Sequence, residues 1–257
     1  MNRFVKNYIN KKSNDYISRN NIEKANQVAK YVAERGNDED CLNFAMEFGD
    51  KVDCSVIMQR FIMKQNPEYL LKFVENVRGC DVQQVQEKLQ SIDKTGRYLA
   101  RLINVPGSDV NKVVDFYLNK GGYDNDMMLL KIASHNIPSD AFDRIQDYIY
   151  SKDNPYYADI MARFCGRKCD NEKAQEIVLK SNDTDLLERF FLQANGIDKA
   201  KSFRRLEEVI YNECNSYITV KEFLLKYENL IQDKDKFIKK LNTLEVQIDR
   251  QNQAQEL

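Results

Sequence analysis

Along most of the chain, apolar residues recur at spacings of three and four in short segments punctuated by Gly and Asp. That periodicity belongs to amphipathic helices rather than strands. The clearest segment is Tyr69-Leu70-Leu71-Lys72-Phe73-Val74, followed by Val77-Arg78-Gly79-Cys80-Asp81-Val82. Twenty-nine residues later comes Tyr98-Leu99-Ala100-Arg101-Leu102-Ile103, followed by Val105-Pro106-Gly107-Ser108-Asp109-Val110. Weaker copies begin at Cys41, Met128, Tyr157 and Leu186.

Each copy reads as a helix, a turn, a capping residue and a second helix. The first helix carries apolar residues at i, i+1, i+4 and i+5, which form one core-facing stripe. Gly79, Gly107, Gly166 and Gly196 stand where a helix is expected to end in a left-handed residue. Asp81, Asp109, Asp140 and Asp170 stand where a side-chain oxygen can cap the next helix. The second helix repeats the stripe, as in Val82, Val85, Leu89 and Val110, Val113, Val114, Tyr117. One hairpin alone cannot bury both stripes, whereas stacked hairpins can.

The pattern resembles the roughly 30-residue helical-hairpin repeats of HEAT-like and TPR-like α-solenoids found in bacterial and phage proteins. The resemblance spans Asp38 to Tyr211 and is one of architecture; the TPR signature is absent and there is no Trp. It implies an all-α fold, a right-handed stack of antiparallel helical hairpins. An irregular helical bundle is the alternative.

The expected organisation is a helical cap over residues 1–37, hairpin repeats over 38–213 and C-terminal helices over 214–257. The cap reads as a short helix followed by a longer one over Ile22 to Arg35. In the C-terminal part Phe223, Tyr227, Leu230, Lys234, Phe237, Leu241, Leu244 and Ile248 follow a heptad. That run suits either a coiled-coil seam, and through it a homodimer, or a last hairpin broken near Gln232 to Asp235. Residues Gln251 to Leu257 are expected to fray.

Composition narrows the picture. Gly (9) and Pro (4) are too scarce for an antiparallel β fold with many tight turns. With 39 Lys+Arg against 40 Asp+Glu, no global field draws the chain to nucleic acid or to a membrane. No apolar run reaches signal-peptide or membrane-spanning length, so a cytoplasmic protein with free thiols is expected.

Catalytic and metal chemistry find little foothold. The one histidine, His135, falls at an expected helix end, where its role is structural. Cys165-Gly166-Arg167-Lys168-Cys169 offers half a metal site without a second pair, although Arg167 and Lys168 are placed to lower a thiol pKa. Gly121-Gly122 lacks phosphate-loop spacing and reads as a turn. The chain is therefore expected to be non-enzymatic and to need no cofactor.

One constellation repeats. Lys72, Arg101, Lys131 and Arg189 occupy equivalent positions in first helices, and Arg163 joins them if its unit is shifted. Stacked helices would set such rungs roughly 10 Å apart. The basic ladder either meets an acidic partner or a phosphate backbone, or is spent on inter-repeat salt bridges with acids such as Glu75, Asp159 and Glu188. Tyr123 and Tyr156, at hairpin starts, are candidate interface anchors. The expected function is macromolecular recognition, foremost protein binding as adaptor, scaffold or occluding inhibitor. A phage-encoded inhibitor of a host defence enzyme is one version, suggested by Asn, Lys and Ile usage typical of an AT-rich genome. A nucleic-acid-binding repeat is the alternative.

Overall fold

Among the described residues, ten of the helices start on a capping side chain, and the same few residue types recur. Asp81, Asp109, Asp170, Asp183 and Asp198 each accept a hydrogen bond from the backbone N–H three residues on, meeting one of the donors a helix leaves unpaired. Asn66 and Asn154 do the same ahead of Pro67 and Pro155, whose fixed φ suits the first helical position. Asn37 and Asp40 form a reciprocal capping box.

A computed structural model describes residues 3–255, which fold into sixteen α-helices without a strand among them. The chain divides into two compact units, residues 1–142 and 143–257. The first holds α1 (Arg3–Ser18), α2 (Ile22–Arg35), α3 (Asp38–Phe48), α4 (Ser55–Lys64), α5 (Pro67–Asn76) and α6 (Val82–Ile92). It continues through α7 (Arg97–Arg101), which tightens into a 3-10 turn over Leu102–Asn104, to α8 (Val110–Lys120) and α9 (Tyr123–Ala133). Helix α10 (Ser139–Ser151) contains the division. The second unit holds α11 (Pro155–Cys165), a 3-10 turn over Gly166–Lys168, α12 (Asn171–Val178), α13 (Thr184–Gln193), α14 (Lys199–Asn212), α15 (Tyr217–Lys226) and α16 (Lys234–Gln255).

Within the first unit each helix packs on its chain neighbour and often on the helix two places along. Thus α1 meets α2, α2 meets α3 and α4, α3 meets α5, α5 meets α6 and α7, and α8 meets α9. In the second unit α11 meets α12 and α13, α13 meets α14, and α15 meets α16. The stripes read from the sequence are the buried ones: Leu70, Leu71, Phe73 and Val74 on α5, Val85 and Leu89 on α6, Val113, Val114 and Tyr117 on α8, Leu186, Leu187 and Phe190 on α13.

Three of the turn glycines sit two residues past the expected place. In Val77-Arg78-Gly79-Cys80-Asp81, Val105-Pro106-Gly107-Ser108-Asp109 and Ala194-Asn195-Gly196-Ile197-Asp198, the first residue ends the helix. It is buried, extended and bonded back to it. The central Gly carries a positive φ, and Asp caps the next helix. Only Gly166 itself closes the preceding helix.

The ends depart from expectation in detail. The first helix is the longer of the N-terminal pair, 16 residues against 14. The heptad does not lie on one helix, because residues 227–233 separate α15 from α16. The two helices pack as a hairpin instead, with the rings of Phe203, Phe223 and Tyr227 in mutual contact and Phe237 against Phe223. Helix α16 runs on to Gln255, and Glu256 and Leu257 of the segment expected to fray lie outside the described residues.

Candidate recognition surface

The five ladder cations are all placed on first helices, and four of them already face an acid. On α5, Lys72 pairs with Glu68 one turn back at 2.6 Å and lies 5.6 Å over the Tyr69 ring. The Glu68 bond raises the Lys72 pKa. On α7, the Arg101 guanidinium reaches both carboxylate oxygens of Glu75 on α5 at 2.8 Å, so this rung spans two successive first helices. Lys131 on α9 is exposed, and no ion pair to it forms among the described residues.

In the second unit Asp159 of α11 is wholly buried. Arg163, one turn on, bonds both its oxygens at 2.9 Å, and Arg189 of α13 reaches it at 2.9–3.0 Å. Two forks therefore close on one carboxylate, which a buried charge requires. Arg163 also donates to Gln193 of α13 at 3.2 Å. The inter-repeat salt-bridge arrangement is thus present at Glu75 and Asp159. At Glu188 the partners are instead Lys226 at 3.0 Å and the Tyr227 hydroxyl at 2.6 Å.

Tyr123 opens α9 and is 69% exposed. Tyr156, on the first turn of α11, is half exposed, and its hydroxyl donates to Asp183 just ahead of α13. That bond raises the Tyr156 pKa and lowers that of Asp183. Beside these expected anchors the fold exposes Phe164 (62%) at the end of α11 and Leu192 (51%) at the end of α13. Both occupy positions next to a paired side chain, Arg163 and Gln193, and the periodic stripe gave no signal of their exposure.

His135 follows the end of α9, half-buried, with its backbone N–H on the Ile132 carbonyl. Gly121 and Gly122 make the turn into α9 with positive φ. Cys165 and Cys169 are buried, and burial pushes Cys165 up to about 12 and raises Cys169 as well. Lys168 only slightly offsets the burial of Cys165, so these thiols are weaker nucleophiles than free cysteine, contrary to the activation that Arg167 and Lys168 suggested. The Arg167 side chain lies outside the described residues. Among the described residues, no three His, Cys, Asp or Glu side chains converge as a metal site, and no helix is long and apolar enough to cross a membrane.

A second repeated device was missed at sequence level. Gln86 on α6 donates to the Asp109 carbonyl and accepts from the Asp109 N–H, both at 2.8 Å. Gln175 on α12 makes the same two bonds to Asp198, at 2.6 and 3.2 Å. Asn26 accepts from the Asp53 N–H at 2.9 Å and Gln146 from the Asp170 N–H at 2.7 Å. A side-chain amide of one second helix thus holds the peptide that starts the next. The sequence signal was available: Asn26, Gln86 and Gln175 each lie five residues after a capping Asn or Asp.

Comparison with known proteins returns no matching family model, no similar curated protein and no similar solved structure.

Proposed function

We propose that this chain is an α-solenoid whose work is non-catalytic recognition of another protein, as an adaptor, scaffold or occluding inhibitor. The observation carrying the reading is the packing within each unit. Helices lean on their neighbours and on the helix two along, the arrangement by which hairpin repeats present side chains in series. Exposed aromatics on first helices, Tyr123, Tyr156 and Phe164, supply the rigid, amphipathic anchors that protein interfaces favour. A cytoplasmic setting and a phage origin remain part of this proposal, resting on the sequence alone.

The nucleic-acid reading is the weaker one. Lys72, Arg101, Arg163 and Arg189 each already pair with an acid, Glu68, Glu75 or Asp159, the last of them fully buried. Phosphate contacts would have to outbid those pairs.

The test is affinity capture of a partner from native host extract, followed by the same capture with Tyr123→Ala, Tyr156→Ala and Phe164→Ala. Loss of an anchor is expected to weaken binding by about 2 kcal/mol, roughly 30-fold. Unchanged capture by all three variants sinks the assignment of these anchors. Binding of a DNA or RNA oligomer at ~50 mM salt, falling steeply as salt rises, would move the protein to the nucleic-acid class.

A further inference from the structure

The second unit carries a trough lined by apolar side chains, two cations and one carboxylate. Along α14, Lys199, Ala200, Phe203, Arg204 and Glu207 fall at i, i+1, i+4, i+5 and i+8, on one face of the helix. Phe191 and Leu192 at the end of α13 form one wall, and Leu230 and Gln232 from the α15–α16 connection form the other. The open cleft measures about 550 Å³, within the range of small-ligand sites. From Lys199 to Glu207 it runs about 12 Å along the helix.

Two features of the lining select a ligand. Its walls carry exposed apolar surface: Leu192 and Leu230 are each 51% accessible although both are large and aliphatic. Its cations are unspent. Lys199 donates to the Phe191 carbonyl and lies 5.7 Å over the Phe191 ring, which holds the ammonium against the wall, and no carboxylate among the described residues forms an ion pair with it. Among the described residues no carboxylate pairs with Arg204 either. The ladder cations of this unit, Arg163 and Arg189, by contrast converge on Asp159. Burial lowers the Lys199 pKa and raises that of Glu207, as expected where water is partly displaced from a cleft.

We propose that this trough binds an amphipathic anion: a carboxylate or comparable acid held by Lys199 and Arg204, with an apolar body laid over Ala200, Phe203 and Leu230. The lining holds two cations, Lys199 and Arg204, against the single carboxylate Glu207, which sets the charge of the head, and the span of the trough sets the length of the body. This site stands apart from the protein-recognition reading and does not depend on it.

Titration of the full chain with decanoate, followed by calorimetry and by backbone amide shifts of Ala200, Phe203 and Leu230, tests the site. One saturable site per chain is expected, with decylammonium binding at least about tenfold more weakly. Ala200→Trp, on an exposed position, is expected to fill the trough and abolish binding. Arg204→Glu, also exposed, is expected to weaken it about tenfold. Circular dichroism should show both variants as helical as the parent. Absence of saturable decanoate binding, equal binding of the cationic probe, or full affinity in both variants would each overturn the proposal.

Discussion

Single residues in this fold do work that their types alone do not announce. Gly96 has a φ of +75°, and a Cβ there would meet the Tyr117 ring and hydroxyl at 2.7 Å, while that hydroxyl donates to the Gly96 carbonyl. Gly79 has a similar φ, +72°, but open space around it. Gly79→Ala should therefore cost only left-handed backbone strain, about 1 kcal/mol, and Gly96→Ala about 2 kcal/mol more because Tyr117 is fully buried and cannot give way. Chemical denaturation of the pair separates the two terms; equal losses would remove the clash from the account. Asp40 makes a pH-dependent contribution. Burial opposes its charge, but the Lys6 ammonium at 2.5 Å and the Asn37 N–H outweigh that and hold its carboxyl at about 2, below its ordinary 3.8. A depressed folded-state pKa means stability that is present above about pH 4 and lost as pH falls towards 2. Asp40→Asn should lower stability at pH 7 and flatten the acid limb between those values, which thermal melts over a pH series would read.

At the scale of elements, neighbouring second helices are tied by buried amides. Gln86 and Gln175 are nearly inaccessible, and each satisfies both the N–H and the C=O of the next capping Asp. Truncation to Ala leaves a donor and an acceptor without partners where water has little access, a cost of about 1–3 kcal/mol for each variant. Gln86 lies in the first unit and Gln175 in the second, with no bonding partner in common, so the double variant should lose the sum within about 0.5 kcal/mol. A much smaller loss in Gln86→Ala would mean that the turn simply relaxes. The Asp159 hub ties first helices instead. Asp159→Asn keeps the shape but strands two guanidinium groups, and a loss of about 3–5 kcal/mol is expected.

For the whole molecule, the contacts described within each unit join helices that are near in sequence, a helix to the next or to the one after. Local contacts close small loops and cost little entropy before they reward the chain. Refolding by stopped-flow fluorescence of the tyrosines should therefore show a major phase in the millisecond range or faster. A dominant phase of seconds would contradict a fold made of near-neighbour pairs. The recognition we propose belongs to this scale too, because an α-solenoid would gather partner affinity from several repeats rather than from one pocket.

Helix identity, second-helix starts and core stripes were legible in the chain itself, since an Asp cap and a 3.6-residue apolar period act within a single turn or two of helix. Asp81, Asp109 and Asp170 cap where expected, whereas Asp140 lies within the first turn of α10, and Val85, Leu89, Val113 and Tyr117 are buried where expected. Long-range proximity decided the rest. Glu75 takes up Arg101, and Asp159 takes up Arg163 and Arg189, so charges that look alike in sequence end unlike in the fold. The repeat named Glu75 and Asp159 as candidate acids, but the fold decided which cation each one takes up, across 26 to 30 residues for Arg101 and Arg189. Tertiary packing likewise broke the heptad at 227–233, where burying Phe223 and Phe237 against one another within a hairpin took the place of a continuous seam.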